Sequence, residues 1–195
     1  MKKIAITGGI GSGKSTVVAY LRKKGYTVFS CDEIYHEIMR SHAYIKQIKN
    51  VFPNVVENGK INRKRLAEIV FSNPEKRQQL NDISHPMIMD KLQFDIKTIQ
   101  NDVVFVEVPL LFEGNYEYLF DEIIVVVRAL NERISSVCQR DGITVEQAQN
   151  RINAQMNYDD VSYLSKSNKK ILMLYNQGKK ECLQNGIDEI LKGIS

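Results

Sequence analysis

No apolar run in this sequence approaches the roughly 20 residues that a membrane-spanning helix needs. The opening Met1-Lys2-Lys3 is followed by too few apolar residues to make a signal peptide, so a cytoplasmic location without membrane association is expected. Cysteine is scarce as well. Cys31, Cys138 and Cys182 are odd in number, far apart and free of C-x-x-C spacing, which argues against a disulfide framework and against a zinc site. His36, His42 and His85 also lack metal-ligand spacing, so the one metal expected is one carried in with a nucleotide. Internal repeats, low-complexity tracts and interdomain linkers are absent too, which leaves an ordinary globular chain.

At 195 residues the chain can bury one good core, or one core with a small appended subdomain. Its net charge of +4 is modest, and the basic residues are interspersed with acids even around Arg63-Lys64-Arg65. No nucleic-acid partner is expected. A protein that holds polyphosphate ligands needs surplus Lys and Arg for that reason alone.

The densest information lies in Gly8-Gly9-Ile10-Gly11-Ser12-Gly13-Lys14-Ser15-Thr16, which fits G-x-x-x-x-G-K-[ST] directly after the apolar run Ile4-Ala5-Ile6. Consecutive backbone N–H groups of such a loop curl around an anion, and the following helix aims its positive end at the same phosphates. Gly9, Gly11, Ser12, Gly13, Lys14, Ser15 and Thr16 are therefore candidate ligands of a nucleotide triphosphate, with Lys14 reaching the β- and γ-phosphates and the Ser15 hydroxyl on Mg²⁺. Val17, Val18 and Leu21 follow at the spacing of a buried helical face. The motif says nothing of what the phosphate is used for.

Strand-length apolar runs recur at Ile4 to Ile6, Thr27 to Phe29, Val103 to Val108, Ile123 to Val127 and Ile171 to Leu174, with helical patterns between most of them. That alternation predicts an α/β fold, a three-layer sandwich around a mainly parallel five-stranded sheet. Val103 to Val106 and Ile123 to Val127 are nearly unbroken and should be central. The interval from Asp32 to Gln100 has no convincing strand, and a single domain over 1–195 is expected to carry a helical acceptor-binding insertion at about 33–100. A second excursion, about 131–167, holds Arg133, Arg140 and Arg151 and a capping box at Thr144-Val145-Glu146-Gln147, the outline of a helical lid. The amphipathic end, with Leu183, Ile187 and Leu191 on one face, reads as core packing.

Asp32 lies just past the second strand, where open α/β sheets place their ligands, and a carboxylate there can take a proton from an attacking hydroxyl. Helix capping is the alternative. Ser30 and Glu33 satisfy S-x-x-E, however, and leave Asp32 free for chemistry. Glu107 stands open between support of Mg²⁺ through water and a structural role. Arg140 and Arg151 are lid candidates for forking phosphate oxygens, against the alternative of plain surface arginines. His85, read as the start of a helix at His85-Pro86, divides equally between packing and ligand contact.

The chain resembles the dephospho-CoA kinase family over essentially its whole length. The likeness rests on the phosphate loop, Asp32, Arg65 to Phe71 with Asn73-Pro74, Leu80-Asn81, His85-Pro86, Val108 to Glu113, Gln139-Arg140-Asp141, Arg151-Ile152 with Ala154-Gln155, and Asn176 with Gly178. The resemblance implies ATP-dependent phosphorylation of the ribose 3′-hydroxyl of dephospho-coenzyme A, the last step of coenzyme A biosynthesis. It implies Asp32 as general base, Lys14 and Ser15 on phosphate and Mg²⁺, Arg140 clamping the transferred phosphoryl group, and Asn176 beside the adenine. Two residues depart from the family's usual pattern: Ser30 replaces a common acid, and Ser136 replaces a common arginine for which Arg133, one helical turn away, is the candidate substitute. The rival is another small-molecule or nucleoside kinase of nucleoside-monophosphate-kinase architecture. A guanine-nucleotide switch is disfavoured, since Asn168-Lys169-Lys170-Ile171 lacks the acid of N-K-x-D. A monomer or weak homo-oligomer is expected.

Overall fold

The computed structural model describes residues 1–158, 160, 162 and 167–194. In chain order its elements begin with β1 (Lys2–Thr7), α1 (Lys14–Lys23), β2 (Val28–Ser30), α2 (Cys31–Ile38) and α3 (His42–Val51). Next come β3 (Val56–Glu57), β4 (Lys60–Ile61), α4 (Arg63–Ser72), α5 (Pro74–Lys97) and β5 (Val103–Glu107). The chain continues with β6 (Glu122–Val127), α6 (Leu130–Asp141), α7 (Val145–Asn153), β7 (Lys170–Tyr175) and α8 (Lys180–Lys192). Two compact units result, Met1–Phe29 with Asn101–Ser195, and Ser30–Gln100.

The larger unit is an α/β sandwich around a five-stranded sheet of order β2-β5-β1-β6-β7. The β1–β5, β1–β6 and β6–β7 pairs are all parallel, with Ile4 opposite Phe105 and Glu122, and Val126 opposite Leu174. The continuous apolar runs produce this arrangement because strands covered on both faces need no polar alternation. Ile4, Ile6, Phe105, Ile124, Val126 and Leu174 share one core cluster with Val17, Val18 and Leu21 of α1 and with Leu183, Ile187 and Leu191 of α8. Alternate residues Ala5, Val104, Val106, Ile123 and Val125 are also fully buried and belong to the opposite face. The runs at Val103 to Val106 and Ile123 to Val127 are interior strands, as expected, and they flank β1, which holds the centre. Glu122 at the start of β6 is a buried charged residue of this sheet, and it takes Lys2 at 2.8 Å and Lys170 at 3.1 Å.

The smaller unit is mainly helical, with α5 packed against α2, α3 and α4. Tyr44 of α3 is fully buried and its hydroxyl meets Ser84 Oγ at 2.7 Å. Contrary to the expectation of no strand here, β3 and β4 form a short antiparallel hairpin, with Val56 opposite Ile61. Asn58-Gly59 makes its two-residue turn at φ 49° and 73°, the left-handed conformation that this dipeptide favours. Two-residue strands are too short to show a period.

Two local expectations are corrected. His85 does not start a helix: α5 runs through Pro86 as one helix of 24 residues. An interior proline costs about 3 kcal/mol, and burial of Ile88, Met89, Leu92 and Ile96 along the same helix offsets it. Ser30 occupies the N-cap of α2 in extended conformation but makes no side-chain capping bond, so the Ser30–Glu33 box does not form. The Thr144–Gln147 box does form, with both reciprocal bonds.

Candidate active site

The phosphate loop joins β1 to α1. Gly13 is the N-cap of α1 at φ 106°, a conformation that L side chains rarely adopt, and a Cβ there would also collide with the Asn176 amide. The first turn of α1 carries no acidic residue and the cap position no side-chain bond, so the positive end of the helix is left for an anion. Lys14 folds over the loop and donates to the carbonyls of Gly8 at 2.6 Å and Gly9 at 3.1 Å. Ser15 is exposed at the second position of the helix, whereas Ser12 is 1% exposed with its Oγ buried and unpartnered among the described residues. The loop is thus a backbone cradle with a cation across it.

Helix α6 supplies a wall that the sequence did not announce. Arg133 is only 3% exposed, and its Nε donates to the Ile10 carbonyl at 3.1 Å. A Cβ on Gly9 would strike its guanidinium, and one on Gly11 would strike its backbone. Arg133 is therefore a buried support of the loop, and its guanidinium does not stand in for an arginine at the half-buried position of Ser136. That position is met by Arg128, which follows β6: its Nη1 donates to Ser136 Oγ at 2.6 Å and reaches the Gly11 carbonyl at 3.4 Å.

Arg140 and Arg151 are exposed, and both converge on Asp141. Arg140 forks it through Nε at 2.7 Å and Nη2 at 3.0 Å, while Arg151 Nη1 lies 2.6 Å from the same carboxylate. The Arg140 guanidinium holds the Asp141 carboxyl below its ordinary value, and Asp141 in turn raises Arg140 further. Helices α6 and α7 pack on each other. Part of the expected lid, residues 159, 161 and 163–166, lies outside the described residues.

The segment after α7 returns to the loop. Gln155 Oε1 accepts from the Ile10 amide at 2.6 Å, and Tyr158, 2% exposed, meets Thr7 Oγ1 at 3.2 Å. Glu113 braces it by accepting from the Met156 amide at 3.0 Å and from the Tyr158 hydroxyl at 3.4 Å. Glu107 is half-buried at the end of β5, opposite Ile6.

Behind the loop a cleft of about 420 Å³ is lined by Gly13, Thr16, Arg128, Asn176, Gly178 and Leu183, among others. Asn176 Nδ2 donates to the Ser12 carbonyl at 2.8 Å and its Oδ1 accepts from the Gly178 amide at 3.1 Å. One side chain thus ties the phosphate loop to the β7–α8 turn.

Asp32 belongs to the smaller unit, exposed in the first turn of α2 beside Glu33. One turn on, His36 borders a cavity of about 760 Å³ whose walls include Met39, Ile45 and Ile61 and the cations Arg40, Lys60 and Arg63. Arg63 Nη2 lies 2.8 Å from His36 Nε2. Because arginine only donates, that ring nitrogen is the acceptor. His85 is half-buried, and burial pushes its pKa down against the opposing pull of Asp82.

Residues 2–177 match the family model described as dephospho-CoA kinase. A dephospho-CoA kinase of Thermus thermophilus is 34% identical over 192 residues, which cover 98% of this chain and 91% of the relative. A crystal structure from Thermus thermophilus has a TM-score of 0.83 at 32% identity and covers 100% of this chain and 98% of its own. The dephospho-CoA kinase structure from Campylobacter jejuni has a TM-score of 0.64 at 26% identity, covering 100% of this chain and 97% of its own.

Proposed function

The chain belongs to the dephospho-CoA kinase family, and we propose from that premise a role for each part of its site in the ATP-dependent phosphorylation of dephospho-CoA. The observation that carries the assignment of the nucleotide half is the loop itself, an uncapped helix N-terminus with the Lys14 ammonium held across its carbonyls. Backbone N–H groups of Gly9 to Thr16 hold the triphosphate, Lys14 neutralises its outer phosphates, and Asn176 borders the adenine.

A Cβ at Gly8 would strike the Val126 carbonyl and one at Gly13 the Asn176 amide, so close packing against β6 and the β7–α8 turn requires glycine at both positions and fixes the path of the cradle. Ser15 has the hard oxygen that Mg²⁺ prefers, and the remaining oxygens would come from phosphates and water. Bound there, the ion would offset charge on the transferred group. Arg140 adds the clamp by exchanging Asp141 for phosphate oxygens, two acceptors of the same planar geometry.

Asp32 is the general base toward the ribose 3′-hydroxyl. The cavity that begins one helical turn away suits the rest of the acceptor, with Arg40, Lys60 and Arg63 facing its diphosphate and Met39, Ile45 and Ile61 its apolar arm. No helix of the described residues is long and apolar enough to cross a membrane; a cytoplasmic monomer or weak homo-oligomer completes the reading. A coupled ADP-release assay with ATP tests it, with dephospho-CoA as acceptor beside adenosine, AMP and shikimate. Turnover should be fastest with dephospho-CoA, and equal or faster turnover with another acceptor would reject the assignment.

A further inference from the structure

Arg128 emerges from the end of β6 as a half-buried guanidinium on the wall of the cleft behind the phosphate loop. Of its five N–H donors, three are engaged in the plane of the group: Nε to Glu132 Oε2 at 3.2 Å, and Nη1 to both Ser136 Oγ and the Gly11 carbonyl. Glu132 is itself packed close to the β7–α8 turn, since a Cβ on Gly178 would lie 3.3 Å from its Oε1. The guanidinium is therefore fixed in orientation by the loop, by α6 and by an acid that offsets its charge.

A planar cation held along Nε and Nη1 offers a ligand its face and, at the other end, the two Nη2 donors. With its charge offset by Glu132, it is also poorly suited to neutralise phosphate. We propose that Arg128 is the platform on which the nucleotide's base rests, a specificity-determining residue that supplies from the strand end the guanidinium that Ser136 does not supply from α6. An arginine at 136 would send its own side chain into the space Arg128 now fills, because Ser136 Oγ is already in hydrogen-bond contact with it. The short side chain at 136 and the long one at 128 are thus two halves of one exchange. This inference rests on the cleft being the nucleotide's base site.

The test is the ADP-release assay on the full chain, with Arg128→Ala, Arg128→Lys and the double variant Arg128→Ala/Ser136→Arg. Loss of a cation–π platform should raise KM for ATP by about 3- to 30-fold, in Arg128→Ala and in Arg128→Lys alike, with KM for dephospho-CoA within about 2-fold. The double variant should recover most of the ATP affinity. Inorganic tripolyphosphate, which has no base, should lose clearly less affinity than ATP in Arg128→Ala, its loss being limited to the weak support that Arg128 gives the Gly11 carbonyl at 3.4 Å. Proportional weakening of tripolyphosphate, full rescue by lysine, an unchanged KM for ATP, or no recovery in the double variant would each overturn the proposal. Thermal melting of each variant identifies a folding loss, and Arg128→Gln then replaces any variant that fails to fold. Absence of turnover in the wild type with dephospho-CoA would instead reject the functional reading, a result distinct from any of these.

Discussion

Arg133→Met tests whether α6 supports the phosphate loop mechanically. The substitution keeps much of the buried volume but removes a charged donor 3.1 Å from the Ile10 carbonyl, a bond of a kind worth about 1.5–3 kcal/mol. Against that stands the desolvation of a guanidinium only 3% exposed, part of which an apolar side chain recovers. The bond should win by about 1–2 kcal/mol, because its loss also leaves a carbonyl without its donor. For a chain of this size each kcal/mol is about 2–4 °C, so Tm should fall by about 2–8 °C in calorimetry. KM for ATP should rise by up to about 10-fold, as Ile10 is part of the cradle, while KM for dephospho-CoA stays within about 2-fold. Gly9→Ala gives the second arm: its methyl should be severe beside the Arg133 guanidinium and milder in the Arg133→Met background, a coupling that a double-mutant cycle reads directly. Unchanged Tm and KM, or strict additivity with Gly9→Ala, would show that the guanidinium lies against the loop without holding it.

Asp32→Asn should lower kcat by about 10² to 10⁴ through loss of the base. With Ser30 not capping α2, loss of one first-turn charge should also cost up to about 1 kcal/mol in a melt; an intact kcat with that loss would make Asp32 a helix-end charge only. Lys14→Ala should reduce kcat by about 10² to 10³ with the fold retained, and near-normal turnover would detach the loop from the chemistry. Arg140→Ala should slow turnover by about 10³ if the residue stabilises the transferred group as an arginine finger does, with ATP binding unaltered; since Asp141 then loses its fork, Asp141→Asn is the control that separates clamp from ion pair. Burial would push the Glu122 carboxyl up, but the ammonium groups of Lys2 and Lys170 outweigh it and hold its pKa down. A carboxyl with a lowered folded pKa stabilises above its unfolded pKa, and that contribution is lost as pH falls through the folded one. Acid melting should therefore be steeper in the wild type than in Glu122→Gln, and parallel profiles would refute the pairing.

Legibility in this chain follows from how far apart in sequence the partners of an interaction lie. The interior strands could be read because burial on both faces writes itself as an unbroken run, Val103 to Val106 and Ile123 to Val127, and the phosphate loop because its backbone geometry is dictated by adjacent glycines. The β3–β4 hairpin is too short for periodicity, yet Asn58-Gly59 marks its turn. At Pro86 a sound local rule fails, because apolar contacts spread over α5 outweigh one missing N–H. Charged side chains are the least legible. Arg140 and Arg151 read as free lid cations, yet one acid, Asp141, holds both in the described structure. Arg128 attracts no motif at all, because its partners Gly11, Glu132 and Ser136 come from the loop and the next helix. A guanidinium on a long flexible stem takes its place from whichever acceptors the fold brings within reach, and those are settled only once β1, β6 and α6 are packed. The departure at Ser136 accordingly has a physical counterpart eight residues earlier: a small side chain on α6 makes room for a long one from the strand, and the arginine changes its point of attachment.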